Sequence, residues 1–411
     1  LVAAFITVIL FILNSIWVRT YGGDTEWYIA AAEGRWSELI QPYSARFLHP
    51  FLVGGLSELT TLSIEHLFLA IGVLSVFLFF LLNAVILKKE VNLKPILLVP
   101  LFFSPYFLLT IREVFEPDAF YILLTALFLI LLFYKKEIYA LFVFFLLFLT
   151  RESTSLLGVI LALVSWFKKK RILALSIVTV IVISMYLGNV LNSIGKSNVH
   201  QLNNSVYLVA KLSFNFLTNV LGIKPWANTY ANCEPIFKFN LPDIKSFGNI
   251  HEIGFCGFEI IKPIQTLIIL LTIFGIAPLL LFYILLKDWK VVWKEMPFWM
   301  FIALIYGLLN YFIGVIAGTG IQRIVGYSWP AFLLVAPILI SKYFFHDKKF
   351  ILKLSLIHLF VAWLPFLVYR VRGDELNSTV FIFFAVAFSY FFAFRIIKEQ
   401  GSRDVVFSAN S

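Results

Sequence analysis

Residues 134–171 read YKKEIYALFVFFLLFLTRESTSLLGVILALVSWFKKKR. Two apolar runs, Ile138–Thr150 and Ser153–Phe167, carry lysines at their far ends and meet at Thr150-Arg151-Glu152-Ser153. Lysines flanking apolar runs mark the cytoplasmic ends of membrane helices, so the stretch predicts a hairpin whose arginine-bearing turn faces outward. Runs of thirteen and fifteen residues rise only about 20 Å, short of the roughly 30 Å hydrocarbon layer, and the turn should therefore sit sunken. An ionisable pair at that depth requires a polar cavity or partners. Arg151 and Glu152 are read as cavity lining, with mutual neutralisation across a helix break as the alternative.

The same grammar runs through all 411 residues, of which 61% are hydrophobic and 14% charged, with a mean hydropathy of +0.92. The fold expected is an all-α polytopic membrane protein with about twelve transmembrane helices. Its apolar segments are Leu1–Val18, Ile64–Leu87, Pro95–Ile111, Ala119–Tyr134, Ile138–Thr150, Ser153–Phe167, Ile172–Ile194, Ile264–Leu286, Met296–Ala317, Ile324–Ser341, Ile351–Tyr369 and Val380–Phe394. Leu1 lies inside an apolar run with no Met before it, so a short cytoplasmic start is expected to precede it; no cleavage-site pattern follows that run. Alternating crossings place Lys88, Lys89, Lys94, Lys135, Lys136, Lys168–Arg171, Lys287, Lys290, Lys294, Lys342, Lys348, Lys349 and Lys398 on the cytoplasmic side, with both termini. The outer side receives Arg19, Arg35, Arg46, Arg112, Arg151, Arg323, Arg370 and Arg372. Arginine presents a planar fork that matches phosphate oxygens two at a time, so these residues predict an anionic ligand at the outer face. The net charge of +10 follows the positive-inside pattern and forms no basic stripe, which excludes nucleic acid as a partner.

Two outer loops are large, residues 19–63 and 195–263, within what is otherwise a single membrane domain. The second holds both cysteines, Cys233 and Cys256; an oxidising exterior favours a disulfide, and free thiols are the alternative. The first opens with Tyr21-Gly22-Gly23-Asp24-Thr25-Glu26. A carboxylate presented there beside an apolar wall is placed to act as general base, and Asp24 is the leading catalytic candidate, with a plain turn and helix cap as the competing role. Further on, Tyr43-Ser44-Ala45-Arg46-Phe47-Leu48-His49-Pro50 puts Arg46 and His49 three apart, on one face if the stretch is a helical turn, a pair able to bind phosphate; a purely structural role is the alternative for His49. Arg112-Glu113-Val114-Phe115-Glu116-Pro117-Asp118 joins two spans, and its Glu116 and Asp118 suit a divalent cation or sugar hydroxyls; Asp118 can equally start the following helix. Arg323 stands in a polar loop before Tyr327 and Trp329, which read as interfacial belt residues and partner Arg323 as an anchor or a phosphate contact. Arg370 and Arg372 read as a solvated loop paired with Asp374 and Glu375.

With these residues in view, the chain resembles the integral-membrane glycosyltransferases of the GT-C fold, which draw sugars from polyprenyl-phosphate or polyprenyl-diphosphate donors. Their first outer loop carries juxtamembrane helices and an essential acidic residue, matched here by Asp24 in Gly23-Asp24-Thr25-Glu26. Glu116-Pro117-Asp118 occupies the place of their second acidic motif. Tyr43–Pro50 looks like the aromatic-Arg-apolar-apolar-Pro run of bacterial members, and Arg151-Glu152-Ser153-Thr154 like a later basic-acidic pair. The resemblance covers about the first 170 residues by motif and the rest by topology. It implies a polyprenyl-phosphate sugar donor, a glycan or lipid-linked acceptor, contact with membrane lipid, Asp24 as catalytic base, and Glu26, Tyr43, Arg46, His49, Arg112, Glu116, Asp118, Arg151, Glu152 and Arg323 as substrate-binding residues. Inversion at the anomeric carbon is the simplest outcome. A divalent cation (Mg or Mn) on Asp24, Glu116 and Asp118 is left open, because the first loop offers Asp24-Thr25-Glu26 rather than DxD. No WWD-like sequence is present, which puts a peptide acceptor in doubt. A polysaccharide polymerase or ligase of the O-antigen type, and a transporter of lipid-linked sugars, are the alternatives.

Overall fold

The computed structural model describes residues 2–16, 24–40, 43–91, 103–195, 204–228, 233–241, 250–318, 320–343, 348–373 and 376–401. Arg19 and the Tyr21-Gly22-Gly23 turn, Asn203, Thr319, Asp374 and Glu375 lie outside them. The chain is predominantly helical, and each of the twelve apolar segments contains helix. Among the described residues, five helices are long and apolar enough to cross a membrane: Ile64–Glu90, Arg171–Ile194, Phe298–Ala317, Phe350–Arg372 and Leu376–Glu399. A sixth crossing results if the bent pair Ile261–Thr272 and Ala277–Lys287 counts as one. The remaining apolar helices are shorter, among them Asp118–Phe133, Glu137–Thr150 and Thr154–Phe167.

Local chemistry sets several helix ends. Ser63 and Ser104 accept the amide hydrogens of His66 and Tyr106 as N-caps, and Pro105 opens its helix where no amide is needed. Helix Asp118–Phe133 is central, packed against Ile64–Glu90 and Glu137–Thr150. A π-helical turn, Pro330–Val335, packs against Phe298–Ala317, and every one of its side chains is buried. Proline at its start removes one backbone donor. Tyr327 and Trp329, just before it, are both buried, Trp329 edge-on to Phe79 at 4.7 Å, so neither is the belt residue expected.

The segment Ile264–Leu286, expected as one span, is broken at residues 273–276 and bent by 73°. Gly275 takes φ +51°, and Pro278 then starts the second half. Carbonyls released by a break in apolar surroundings must be satisfied from elsewhere. Here Ser104 donates to the Ile273 carbonyl, Tyr390 to those of Leu271 and Gly275 at 2.7 and 2.8 Å, and Tyr311 to Leu270 at 2.6 Å. His358 presses on the same turn: a Cβ at Gly275 would stand 2.5 Å from its Nδ1.

The described parts of both loops are structured. Residues 24–60 form helix Thr25–Ala32, two short 3-10 turns and helix Leu48–Thr60. The long loop contains helix Asn204–Leu221 and, unforeseen, a three-stranded antiparallel sheet: β1 (Ile223–Ala227), β2 (Phe237–Asn240) and β3 (Glu252–Phe258), with β3 in the middle. A disulfide between Cys233 and Cys256 ties the approach to β2 onto β3.

Candidate active site

Helix ends from distant parts of the chain converge on a cluster of buried charge. Asp118 is the first residue of its helix, where the helix dipole favours a carboxylate, and it is 1% exposed. Its Oδ1 accepts hydrogen bonds from Arg151 and from the Tyr327 hydroxyl. Arg323 approaches Oδ2 from the other side at 3.3 Å, pairs with Glu116, and lies 3.8 Å from Glu113. The Arg151 guanidinium also stands 5.0 Å over the Tyr327 ring.

Arg151 and Glu152 do not neutralise each other. Arg151 is extended and Glu152 begins the turn into the second short helix, and their side chains go to different partners. Glu152 takes both prongs of the Arg46 fork, and Arg46 also donates to the Tyr28 hydroxyl at 2.8 Å. Burial alone would raise the Glu152 carboxyl, but the Arg46 charge overrides it and holds it at about 2. The Glu152 side chain is 53% exposed, so water screens the pair. Lys211, from the helix of the long loop, belongs to the same electrostatic neighbourhood; burial first, then Arg46, lowers its pKa.

The helical turn expected to align Arg46 with His49 does not form. Tyr43–Ala45 is a 3-10 turn and the helix starts only at Leu48, so the two side chains diverge. His49 is buried between Phe68 and Phe120, and neither ring nitrogen has a hydrogen-bond partner among the described residues. Burial lowers its pKa to about 3, which makes it a neutral core residue rather than a phosphate ligand.

Asp24 precedes helix Thr25–Ala32, yet its side chain makes no cap hydrogen bond. It instead accepts from the Tyr43 hydroxyl, whose pKa is raised by burial and then by Asp24. Tyr43 is fixed by stacking on Trp27 at 6.1 Å and by the Arg46 guanidinium 5.4 Å over its ring. Asp24 lines a cavity of about 420 Å³ together with Glu113, Glu116, Arg323 and Lys262. Burial, then the nearby Asp118 charge, raises the Glu116 carboxyl to about 7. Glu26 is exposed and is not part of this lining.

A second cavity of about 280 Å³ adjoins the first, sharing Leu109, Ile269 and Gln322. Its walls are apolar, with Tyr106, Phe366 and Tyr369 among them, and Arg112 and Arg370 complete it. Gly326 shapes this region: a Cβ there would meet the Tyr106 ring at 1.9 Å.

The structure thus brings together Asp24, Tyr43, Glu116, Asp118, Arg151 and Arg323, sets Arg112 in the neighbouring cavity, and puts Glu26 and His49 elsewhere. Sequence reasoning missed Lys262, whose only signal is its place just before Pro263 at the start of an apolar run, and Tyr327, whose partner lies 209 residues away. No protein-family model matches the chain, and no curated protein does.

Proposed function

We propose that the chain is an integral-membrane glycosyltransferase of the GT-C type, crossing the membrane twelve times with both termini cytoplasmic and the cavity on the outer face. It moves a sugar from a polyprenyl-phosphate donor to a glycan or lipid-linked acceptor. The observation that carries the reading is an uncapped carboxylate, Asp24, oriented by Tyr43 into a polar cavity that opens onto an apolar one. In the reaction Asp24 takes the proton of the acceptor hydroxyl, the oxygen attacks the anomeric carbon, and the C1–O bond to phosphate breaks with the electron pair leaving on the lipid phosphate. One base and in-line attack give inversion.

Arg46, Arg151 and Arg323, expected on the donor phosphate, are committed to Glu152, Asp118 and Glu116. Their role in the proposal is to hold the walls on which Asp24 and Tyr43 stand. The trio Asp24, Glu116 and Asp118 does not offer a cation three available carboxylates, because Arg151, Arg323 and Tyr327 enclose Asp118.

Transfer of radiolabelled sugar from a panel of polyprenyl-phosphate sugars by lipid-reconstituted protein tests the proposal. Asp24→Asn is expected to abolish transfer without changing the melting temperature, and Tyr43→Phe to reduce it. Full activity in Asp24→Asn would remove Asp24 as the base. The broken helix at 273–276 favours a transporter of lipid-linked sugars as the second reading. The same assay separates the two, since a transporter relocates labelled lipid without forming a new glycosidic bond.

A further inference from the structure

We propose that the three-stranded sheet of the long loop is a membrane-docking element, whose apolar face rests among the lipid acyl chains of the leaflet at the Ala317 end of helix Phe298–Ala317. The inference goes beyond the transferase reading and does not depend on it.

The sheet has two unlike faces. Phe237 and Phe239 alternate with Lys238 and Asn240 along β2, and pair with Phe255 and Ile253 of β3. Cross-strand partners share a face, so these four side chains form one apolar surface. Phe258 joins it through a bulge. Pro225 pairs with Phe255 but Lys224 with Gly257, which leaves Cys256 as the extra residue of β3 and returns Phe258 to the side of Phe255. Ring contacts agree with that assignment: Phe237 lies 5.4 Å from Phe239 and 5.3 Å from Phe255, and Phe255 lies 5.1 Å from Phe258. The disulfide to Cys233 is attached at the bulged residue itself. On the opposite face Lys238 stands 4.8 Å over the Trp226 ring and 3.7 Å from Glu252. Phe239 is 60% exposed and Phe258 72%, so the apolar face is open. Contiguous apolar surface of this kind marks a site of contact with a protein or a membrane.

The root of the sheet selects the membrane. Helix Asn204–Leu221, which leads into β1, is bound to the membrane-crossing helix Phe298–Ala317: the side-chain amides of Asn215 and Asn219 donate to the carbonyls of Ile316 and Val315 at 3.2 and 2.9 Å. Those carbonyls stand at the end of a crossing helix, where hydrocarbon gives way to headgroups. Ile223 follows Asn219 by four residues, so the sheet begins no more than about 14 Å away. The same helix carries an exposed apolar stripe of Val209, Phe216 and Val220, which seven- and four-residue spacing puts on one side. Exposed apolar side chains continue from it at Leu221, Ile260 and Phe258, and the Glu259 amide donates to the Gly222 carbonyl at 2.6 Å, which holds the two ends of the sheet together. Stripe and sheet face form one surface. Its composition is Phe, Ile, Leu and Val, whereas the anchors of protein interfaces are enriched in Trp, Tyr and Arg; Trp226 is on the other face. From Phe258 the chain passes through Glu259 and Ile260 into helix Ile261–Thr272, whose Lys262, Gln265 and Thr266 line the larger cavity. A sheet seated in the leaflet therefore fixes the depth of that cavity wall.

Site-specific photocrosslinking reads the partner. The probe is p-benzoylphenylalanine, placed one position at a time at Phe239, at Phe258 and, on the opposite face, at Lys238, in the full chain in phosphatidylcholine nanodiscs. Intact mass after irradiation identifies what each position has captured. Leu74, exposed on the crossing helix Ile64–Glu90, is the positive control for acyl-chain contact. Retention of the Cys233–Cys256 disulfide and of the wild-type melting temperature checks the fold. Positions 239 and 258 are expected to gain the mass of one phosphatidylcholine in a yield near that at 74, and position 238 to gain none. Phe239→Glu should cut the yield at 258 to the level at 238, because a carboxylate is costly among acyl chains. Absence of a lipid adduct at 239 and 258 while 74 is labelled would overturn the docking. Equal yields at 238 and 239 would do the same, since neither face would then be preferred. A covalent dimer formed through 239 would assign the face to a second copy of the chain and also overturn the proposal. Sugar transfer does not enter the readout, so this inference and the transferase reading fail separately.

Discussion

Neutralising Asp118 is the severest single change that the charge cluster admits. Asp118 receives Arg151 and the Tyr327 hydroxyl on one oxygen and faces Arg323 with the other. Asp118→Asn keeps the shape but strands the Arg151 guanidinium, whose side chain is only 5% exposed. Breaking a buried pair by removing one charge costs about 3–5 kcal/mol, a large part of a net stability of about 5–15 kcal/mol. Arg151→Met should cost less, because Asp118 keeps Arg323 and Tyr327. Tyr327→Phe removes one hydrogen bond to a charged acceptor, worth about 1.5–3 kcal/mol. The double variant Asp118→Asn, Arg151→Met should regain part of the single-variant loss, since the unpaired charge is gone. Thermal unfolding in detergent reads the series. With an unfolding entropy of about 2.1 cal/mol/K per residue, a chain of 411 residues shifts by about 1 °C per kcal/mol, so Asp118→Asn should melt about 3–6 °C below wild type. A melting temperature within about 1 °C of wild type, or a double variant worse than the sum of its singles, would refute the claim that Asp118 organises the cluster.

Gly326→Ala should lower the melting temperature by overpacking, because its Cβ would meet the Tyr106 ring at 1.9 Å; a cost of about 1–3 kcal/mol is expected, and Tyr106→Ala in the same chain should relieve it. His49 has a folded pKa of about 3 against an ordinary 6.5, so its contribution to stability is complete above pH 6.5 and is lost as pH falls from there toward 3; His49→Phe should flatten the melting temperature across that window. Glu116 has the opposite sign. Its pKa of about 7 lies above the ordinary 4.5, so its contribution is complete below pH 4.5 and is lost as pH rises through 7. Glu116→Gln should remove that decline, and an unchanged pH profile would exclude Glu116 as its source.

Legibility followed the range of the interaction. Apolar runs and flanking lysines are local signals, and helices formed where they pointed. Hydropathy, being an average over a window, passed over the break at residues 273–276, although Gly275 and Pro278 stood there as signals. The sheet went unread because β2 is four residues long and fully exposed, too short for an alternating pattern to register. At the site, the sequence marked Asp24, Glu116, Asp118, Arg151 and Arg323 as unusual but could not pair them. Arg151 finds Asp118 across 33 residues and Arg46 finds Glu152 across 106. Composition cannot say whether an arginine faces a ligand or a carboxylate of its own chain. Tyr327 and Trp329 were misread for a related reason: aromatic residues near a predicted span end resemble a belt, and their partners, Asp118 and Phe79, are far away in the sequence.

The eight arginines assigned to one side of the chain called for anionic partners, and for at least four of them, Arg35, Arg46, Arg151 and Arg323, the chain provides its own. This internal neutralisation bears on the proposed chemistry. Arg46 with Glu152 fastens the first loop to the turn between two short helices, and Arg151 and Arg323 with Asp118 fasten that turn to the central helix and to the segment before the π-helical turn. Tyr43, which orients Asp24, leans on Arg46 within the same assembly. A base held this way needs little rearrangement before reaction, which is where preorganised polar groups contribute most. The space around Asp24 remains acidic, with Glu113 and Glu116 beside it. In the proposed transferase, that charge would keep the departing lipid phosphate away from the base.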